Sequence, residues 1–254
     1  MSLKRIMPCL LLKEKRLVKT INFSNPYYIG DPINAVKIYN DKEVDELVLL
    51  DINASKINSK IDFELIQDFA SECFMPLAYG GGVKTINDFK KLFNIGIEKI
   101  IVNTLIFDNP AIVKIAIEKY GSQSIVASID VKKNSSDSYI VFSHSNRKVK
   151  YDFKEYINYV VKLNIGEILL TSVDQDGTWN GYDEKLIDYV NKITSVPIIA
   201  NGGCGKVKDL KNILYKTGIQ AAALGSMAVY QKKGMGVLIR FPKRNIELEF
   251  HIFV

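Results

Sequence analysis

The segment DELVLLD at 45–51 returns as GEILLTS at 166–172, with Glu167 standing 121 residues after Glu46. GGGVKTINDFKKLF (80–93) returns as NGGCGKVKDLKNIL (201–214), and Asp209 again follows Asp88 by 121 residues. Asn103-Thr104 falls opposite Gly225-Ser226, one residue further on. A chain that carries one unit twice must fold as two similar halves. Each half holds four short apolar runs. The first has RIMPCLLL (5–12), ELVLLDI (46–52), MPLAY (75–79) and KIIVN (99–103); the second has SIVASID (124–130), EILLTSV (167–173), VPIIAN (196–201) and AAALGS (221–226). Amphipathic stretches lie between them, such as DPINAVKIYNDK (31–42), DFELIQDFASEC (62–73), INDFKKLFNIG (86–96) and DEKLIDYVNKI (183–193). Near-continuous apolar strands alternating with helices predict a parallel sheet covered on both faces. Eight of them in about 225 residues predict an α/β fold of the closed (β/α)8 TIM-barrel type, built from two half-barrels. The expectation is one domain over 1–254, with no linker. Its last segment, 230–254, is irregular and contains Pro242, so a full eighth helix is not expected there.

Composition narrows the chemistry. With only His144 and His251 in 254 residues, a multi-histidine metal site is out of reach. Cys9, Cys73 and Cys204 form no CxxC pair, which predicts reduced thiols in a cytoplasmic protein with no disulfide framework. The N-terminal apolar stretch spans only about seven residues, too short for a signal peptide. No run approaches the roughly 18 apolar residues a membrane span needs. The net charge of +6 is spread along the chain. It reads as an anion-attracting surface, with neither a nucleic-acid nor a membrane partner expected.

In such a barrel, function sits on the loops after the strands. The repeat places phosphate-type elements at two opposed quarters of that rim. One holds Gly80-Gly81-Gly82 with Asn103-Thr104; the other holds Gly202-Gly203, Gly225-Ser226 and Asp176-Gly177. Glycine loops let backbone N–H groups converge on an anion. A single Gly-Gly is ordinary turn chemistry, but two at repeat-related positions imply an elongated ligand with a phosphate at each end. Asp130 ends the fifth run between the two quarters, where a general acid or base would stand, or a helix-capping Asp. Asp51 and Asp176 end the second and sixth runs and are candidates to orient hydroxyls. At the opposite face Arg5, Glu46, Lys99 and Glu167 begin strands; from composition alone they read as a charged ring that caps the core.

Taken together, RIMPCLLLK, GDPINAVKIYNDKEVDELVLLDINAS, PLAYGGGV, NPAIVKIAIEKYGSQSIV, GEILLTSVDQDGTWNGYD and PIIANGGCGK resemble one family, the cyclase subunit of imidazole glycerol phosphate synthase. The likeness covers roughly residues 3 to 228. It implies a (β/α)8 barrel that pairs with a glutaminase subunit at its N-terminal face and receives ammonia through the barrel. The reaction at the other face would be lyase-type cyclisation of a bis-phosphorylated compound, with no cofactor and no metal. It implies phosphate sites at Gly82, Asn103 and Thr104, and at Asp176, Gly177, Gly203, Gly225 and Ser226. It makes Lys19 a substrate-covering loop lysine, and the ring of Arg5, Glu46, Lys99 and Glu167 an ammonia gate.

The departures bear on the reaction. The family works with two aspartates, at the ends of the first and fifth strands. Asp130 is the second; the first position is Leu11, in PCLLLK where the family has PCLDVK. Leucine transfers no proton, and acid–base assistance is worth about 10² to 10⁴ in rate. Ala78, Ile101 and Asn201 replace hydroxyl residues, and Lys15 and Thr20 replace loop glycines. The sequence is most similar to cyclase-like proteins encoded with bacterial surface-sugar genes, which also read LLLK. The resemblance to those implies ammonia relay to a sugar amidotransferase that forms an acetamidino group. A working cyclase of histidine biosynthesis and a purely structural subunit are the alternatives left open by sequence.

Overall fold

The apolar runs become strands because alternate residues can be buried on both sides at once. On β1 (Arg5–Lys13), Ile6, Leu10 and Leu12 join the layer between strands and helices, while Met7 and Cys9 face the barrel axis. The computed structural model describes residues 4–55, 59–143 and 152–242. His144, His251 and residues 243–254 of the irregular segment lie outside them.

From β1 the chain turns back as an antiparallel hairpin, β2 (Arg16–Ile21) and β3 (Ser24–Gly30), before helix α1 (Pro32–Asp41). The first half continues through β4 (Leu47–Asp51), α2 (Phe63–Ser71), β5 (Leu77–Gly80) and α3 (Ile86–Ile95). It ends with β6 (Lys99–Val102), the short α4 (Thr104–Asp108) and α5 (Pro110–Tyr120). The second half runs through β7 (Ile125–Lys133), β8 (Tyr139–Val141), α6 (Phe153–Val161), β9 (Glu167–Ser172) and α7 (Glu184–Ile193). It finishes with β10 (Ile198–Asn201), α8 (Val207–Lys216), β11 (Ala221–Leu224) and the short α9 (Ser226–Val229).

Strand order is β1-β4-β5-β6-β7-β9-β10-β11, all parallel, and β11 pairs with β1 from Arg5–Ala221 to Pro8–Leu224. The sheet therefore closes into an eight-stranded (β/α)8 TIM barrel, which leaves no edge on the ring itself. The repeat extends to the backbone. Both halves add an antiparallel strand to their first member, β2 on β1 and β8 on β7, and both follow their fourth with a short helix. The hairpin and β8 were not foreseen, because their runs are short and β3 (SNPYYIG) is mostly exposed, leaving little apolar periodicity to read.

Helix starts follow local chemistry: Asp31, Asp62, Asp152 and Asp183 each accept a backbone N–H three residues on, worth about 1 kcal/mol apiece. Beyond α9, Tyr230 bridges Val237 and the described chain to Pro242 holds no further helix. Most of the core lies between strands and helices, around Tyr39, Phe69, Tyr79 and Phe89. A second, narrower core fills the axis: Met7, Cys9, Val48, Ala78, Ile101, Val126, Leu169, Ile199, Ala221 and Ala223. Buried Ser128, two residues before Asp130 on β7, pairs with axial Leu169 at the upper end of that column.

Candidate functional site

At the N-terminal end of the axis, strand starts set four charges facing one another. Arg5 Nη1 lies 2.7 Å from Glu46 Oε2, and Arg5 Nη2 also pairs with Glu167. Lys99 Nζ lies 3.0 Å from Glu46 Oε1 and 2.8 Å from Glu167 Oε2. Each carboxylate thus holds both cations, and the ring closes the base of the axial column. Burial works against the Arg5 charge, but Glu167 and Glu46 outweigh it and hold its pKa above the ordinary value.

At the C-terminal end the strands open into a cavity of about 520 Å³. Its walls differ between the half-barrels. The parity that points Met7 and Cys9 inward brings Leu11 to the rim of β1, and Leu11 pairs across strands with Leu50. Leu50 pairs with Gly80, and Gly80 with Ile101, giving an apolar ladder. On the other half Asp130 pairs with Thr171, and Thr171 with Asn201, giving a polar one. The repeat sets Leu50 opposite Thr171 and Gly80 opposite Asn201, and Leu11 opposite Asp130. All seven line the cavity.

Asp130 is buried, and its Oδ2 accepts from Asn103 Nδ2 at 2.8 Å. Burial pushes its carboxyl up to about 7, and nearby Asp176 adds to the rise, while hydrogen bonds from Thr171 and Asn103 oppose it. The group therefore changes charge near neutral pH, a range suited to giving or taking a proton. Asn201 Nδ2 donates to Thr171 Oγ1 at 3.1 Å and continues the network. Ser128 lines the same wall; with Thr171 it escaped sequence reading, although two-residue steps back from Asp130 and across to β9 would have found both.

The two glycine loops share their backbone. Gly81 and Gly202, with φ of +126° and +90°, take the same place against Asp51 and Ser172, where a Cβ would lie 2.6 Å and 2.8 Å from a carbonyl oxygen. Their surroundings differ. Gly82, Asn103, Thr104 and Asp51 line the open cavity. Asp51 Oδ1 also accepts the Asn53 and Ala54 amides at 3.0 Å, so it holds its own loop; burial raises its pKa.

In the second quarter only Asp176 and Gly225 line the cavity. Gly177 is pressed against the Thr20 carbonyl, Gly203 accepts from the Gly181 N–H at 2.8 Å, and Ser226 is buried at the start of α9. The β2–β3 hairpin covers this quarter. Thr20 Oγ1 bonds Asp176 Oδ2 at 3.1 Å, and Asn22 Nδ2 donates to the carbonyls of Val173 and Asp174. Lys19 turns inward and donates to Cys9 O at 2.7 Å.

The family model described as "Histidine biosynthesis protein" matches residues 5–234. The chain belongs to the histidine biosynthesis protein family. Among its relatives, a Pseudomonas aeruginosa protein provisionally named imidazole glycerol phosphate synthase subunit hisF2 is 43% identical over 95% of this chain and 97% of its own length. A Vibrio vulnificus protein with the provisional name subunit hisF3 is 40% identical over 94% of this chain and 92% of its own. Imidazole glycerol phosphate synthase subunit HisF of Bacillus cereus is 38% identical over 99% of this chain and 100% of its own. Among the described residues of this family member, no cluster of three or more His, Cys, Asp or Glu could hold a metal. Nor is any described helix long and apolar enough to cross a membrane.

Proposed function

We propose that this barrel is the ammonia-receiving subunit of a two-part glutamine amidotransferase and no longer an efficient cyclase. A glutaminase subunit pairs with it as a heterodimer on the face bearing Arg5, Glu46, Lys99 and Glu167, and that ring gates ammonia. Ammonia then crosses the apolar column to the mouth and passes to a sugar amidotransferase that forms an acetamidino group for a surface glycan. Phosphate or a phosphorylated small molecule binds at Gly82, Asn103 and Thr104, and at Asp176, Gly177, Gly203, Gly225 and Ser226 once the hairpin lifts. The observation that carries this reading is the split mouth: Leu11 and Leu50 face Asp130 and Thr171. One wall offers a carboxyl that titrates near neutral pH; the other offers no proton donor or acceptor side chain among Leu11, Leu50, Gly80 and Ile101. Neutral NH3 needs little from an apolar wall, whereas cyclisation needs acid and base together.

The 38% identity to a named HisF, with Asp130 poised near 7, favours a second reading, an active cyclase of histidine biosynthesis in which Asp130 and Asp51 share the proton transfers. The test gives the purified chain the bis-phosphorylated ribulosyl aminoimidazole carboxamide substrate with saturating ammonium at alkaline pH. The native chain is expected to be 10² to 10⁴ slower than an ordinary cyclase, with partial recovery in Leu11→Asp. Full turnover by the native chain would overturn the proposal.

A further inference from the structure

The top of the axial column holds a hydroxyl that nothing engages. Ser128 stands two residues before Asp130 on β7, so both side chains point to the same side of the strand, into the barrel. Only 8% of Ser128 is exposed, and it lines the cavity. Among the described residues its Oγ has no hydrogen-bond partner. The repeat that sets Leu11 opposite Asp130 sets Cys9 opposite Ser128, 119 residues earlier in both cases. Burial pushes the Cys9 thiol up to about 11, so it stays neutral and is only a weak acceptor. Below this level the column is lined by hydrocarbon side chains and Met7. Ser128 is therefore the first strong side-chain acceptor above the base ring.

Asp130, one step higher, is short of donors. A carboxylate offers about four acceptor positions, and Asn103 and Thr171 fill two of them. Thr171 Oγ1 accepts from Asn201, so its own proton is the one given to Asp130. No described Lys or Arg pairs with Asp130. Of the two lysines on the cavity wall, Lys19 is matched by Asp176 and donates to Cys9 O, while Lys13 faces Glu14. A buried carboxylate without a cation is costly, and Ser128 adds an unpaired oxygen beneath it. Surplus acceptors above an apolar column call for a small cation that donates hydrogen bonds.

We propose that Ser128 and Asp130 form an ammonium site at the top of the column, the nitrogen donating to Ser128 Oγ and to an Asp130 carboxylate oxygen. Arrival from below rests on the relay reading above: ammonia reaches the site as NH3, takes the carboxyl proton of Asp130 and stays as ammonium beside the carboxylate. The same proton returns to Asp130 when the nitrogen leaves as NH3, so the exchange balances with no further reagent. Binding of ammonium from solution needs no partner.

Asp130 reports occupancy, because a cation held by its ionised form lowers its titration midpoint. The titratable groups around it are Asp176 and Cys9, with Tyr156 in the layer behind its strand. All three are the same in every arm of the test. The full chain, carrying isotope-labelled aspartate, is titrated by carbon NMR in ammonium, potassium, methylammonium and tetramethylammonium chloride at equal ionic strength. Asp130→Asn assigns the signal. Ammonium is expected to lower the midpoint by about half a pH unit, a threefold change in proton affinity, relative to the other three salts. Ser128→Ala, shown to be folded by its melting curve, is expected to lose most of that difference. An equal response to potassium overturns the site, because charge alone then accounts for it. An equal response to methylammonium assigns the carboxylate to the amino group of a larger ligand and overturns ammonium. No response to ammonium, or one that Ser128→Ala leaves whole, overturns the site as well, and the hydroxyl then faces water alone. Ammonium binding that passes while glutaminase-coupled ammonia transfer fails counts against the relay and not against the site.

Discussion

Replacing Asp130 by asparagine keeps an acceptor for Asn103 and removes a carboxyl whose charge its burial opposes. The folded-state value is about 7 against an ordinary 3.8. Because the folded pKa is raised, the folded chain holds its proton more tightly than the unfolded chain. That preference stabilises at low pH and is lost as pH rises from about 4 to about 7, beyond which the penalty is constant. At about 1.4 kcal/mol per unit, the cost of Asp130 relative to a neutral isostere grows from about 2 kcal/mol at pH 5 to about 4 kcal/mol at pH 8.5. Urea denaturation of both proteins at these two pH values should therefore show Asp130→Asn gaining about 2 to 3 kcal/mol on the native chain across the interval. Equal m-values would establish that the comparison concerns the folded state. A gap that stays constant with pH would refute the placement of Asp130 as a desolvated carboxyl, and with it any role as a neutral-pH proton donor.

Three further substitutions probe the frame around the site. Lys99→Met leaves Glu46 and Glu167 sharing Arg5 alone, and a loss of about 3 kcal/mol in denaturation is expected, as for a broken buried pair; a loss under about 0.5 kcal/mol would mean the ring is solvated. Gly81→Ala combines φ +126° with a Cβ 2.6 Å from Asp51 O, whereas Gly218 has φ +79° and open space. Gly218→Ala should cost about 1 kcal/mol and Gly81→Ala clearly more, and the reverse order in thermal melts would contradict the close approach of that loop to Asp51. Phe74 is 84% exposed on the N-terminal face, where Asn40 Oδ1 accepts its N–H at 3.1 Å and fixes the loop. Phe74→Ala should leave stability within about 0.5 kcal/mol yet reduce capture of a glutaminase subunit, and undiminished capture would remove Phe74 from that interface.

The barrel was legible because its signals are redundant. Each strand is an apolar run, each run recurs after about 121 residues, and rim and base positions follow from strand ends. Leu11 and Asp130 could be set opposite each other from the repeat alone. What sequence could not supply was depth. Lys19 stands in LVKTI, a run whose lysine reads as solvent-facing, and only the fold shows the hairpin turned inward with its ammonium inside the ring. The same limit explains why the two glycine quarters looked equivalent: Gly81 and Gly202 do share a backbone, but nothing local says that Thr20 and Asn22 cover one loop and leave the other open. Cover is a contact between segments about 150 residues apart, and no periodicity encodes it.

A duplicated barrel begins with two equal walls, so the inequality of these two carries information about the chemistry. Cyclisation with ring formation needs one group to remove a proton while another delivers one, on opposed sides of a substrate that spans the mouth. Asp130, titrating near 7, serves either step but cannot be protonated and ionised in the same instant. Asp130 keeps its partners Asn103 and Thr171, while the repeat-related Leu11 and Leu50 present hydrocarbon to the same space. Loss confined to one wall, with the base ring and the axial column intact, is the pattern expected when passage of a small neutral molecule is still required and simultaneous acid–base work is not. If Leu11→Asp restored cyclisation without Leu50 or Ile101 being changed, the apolar wall would be reduced to one missing carboxylate. If it restored none, the whole Leu11–Leu50–Gly80–Ile101 ladder would have to be counted as the adaptation.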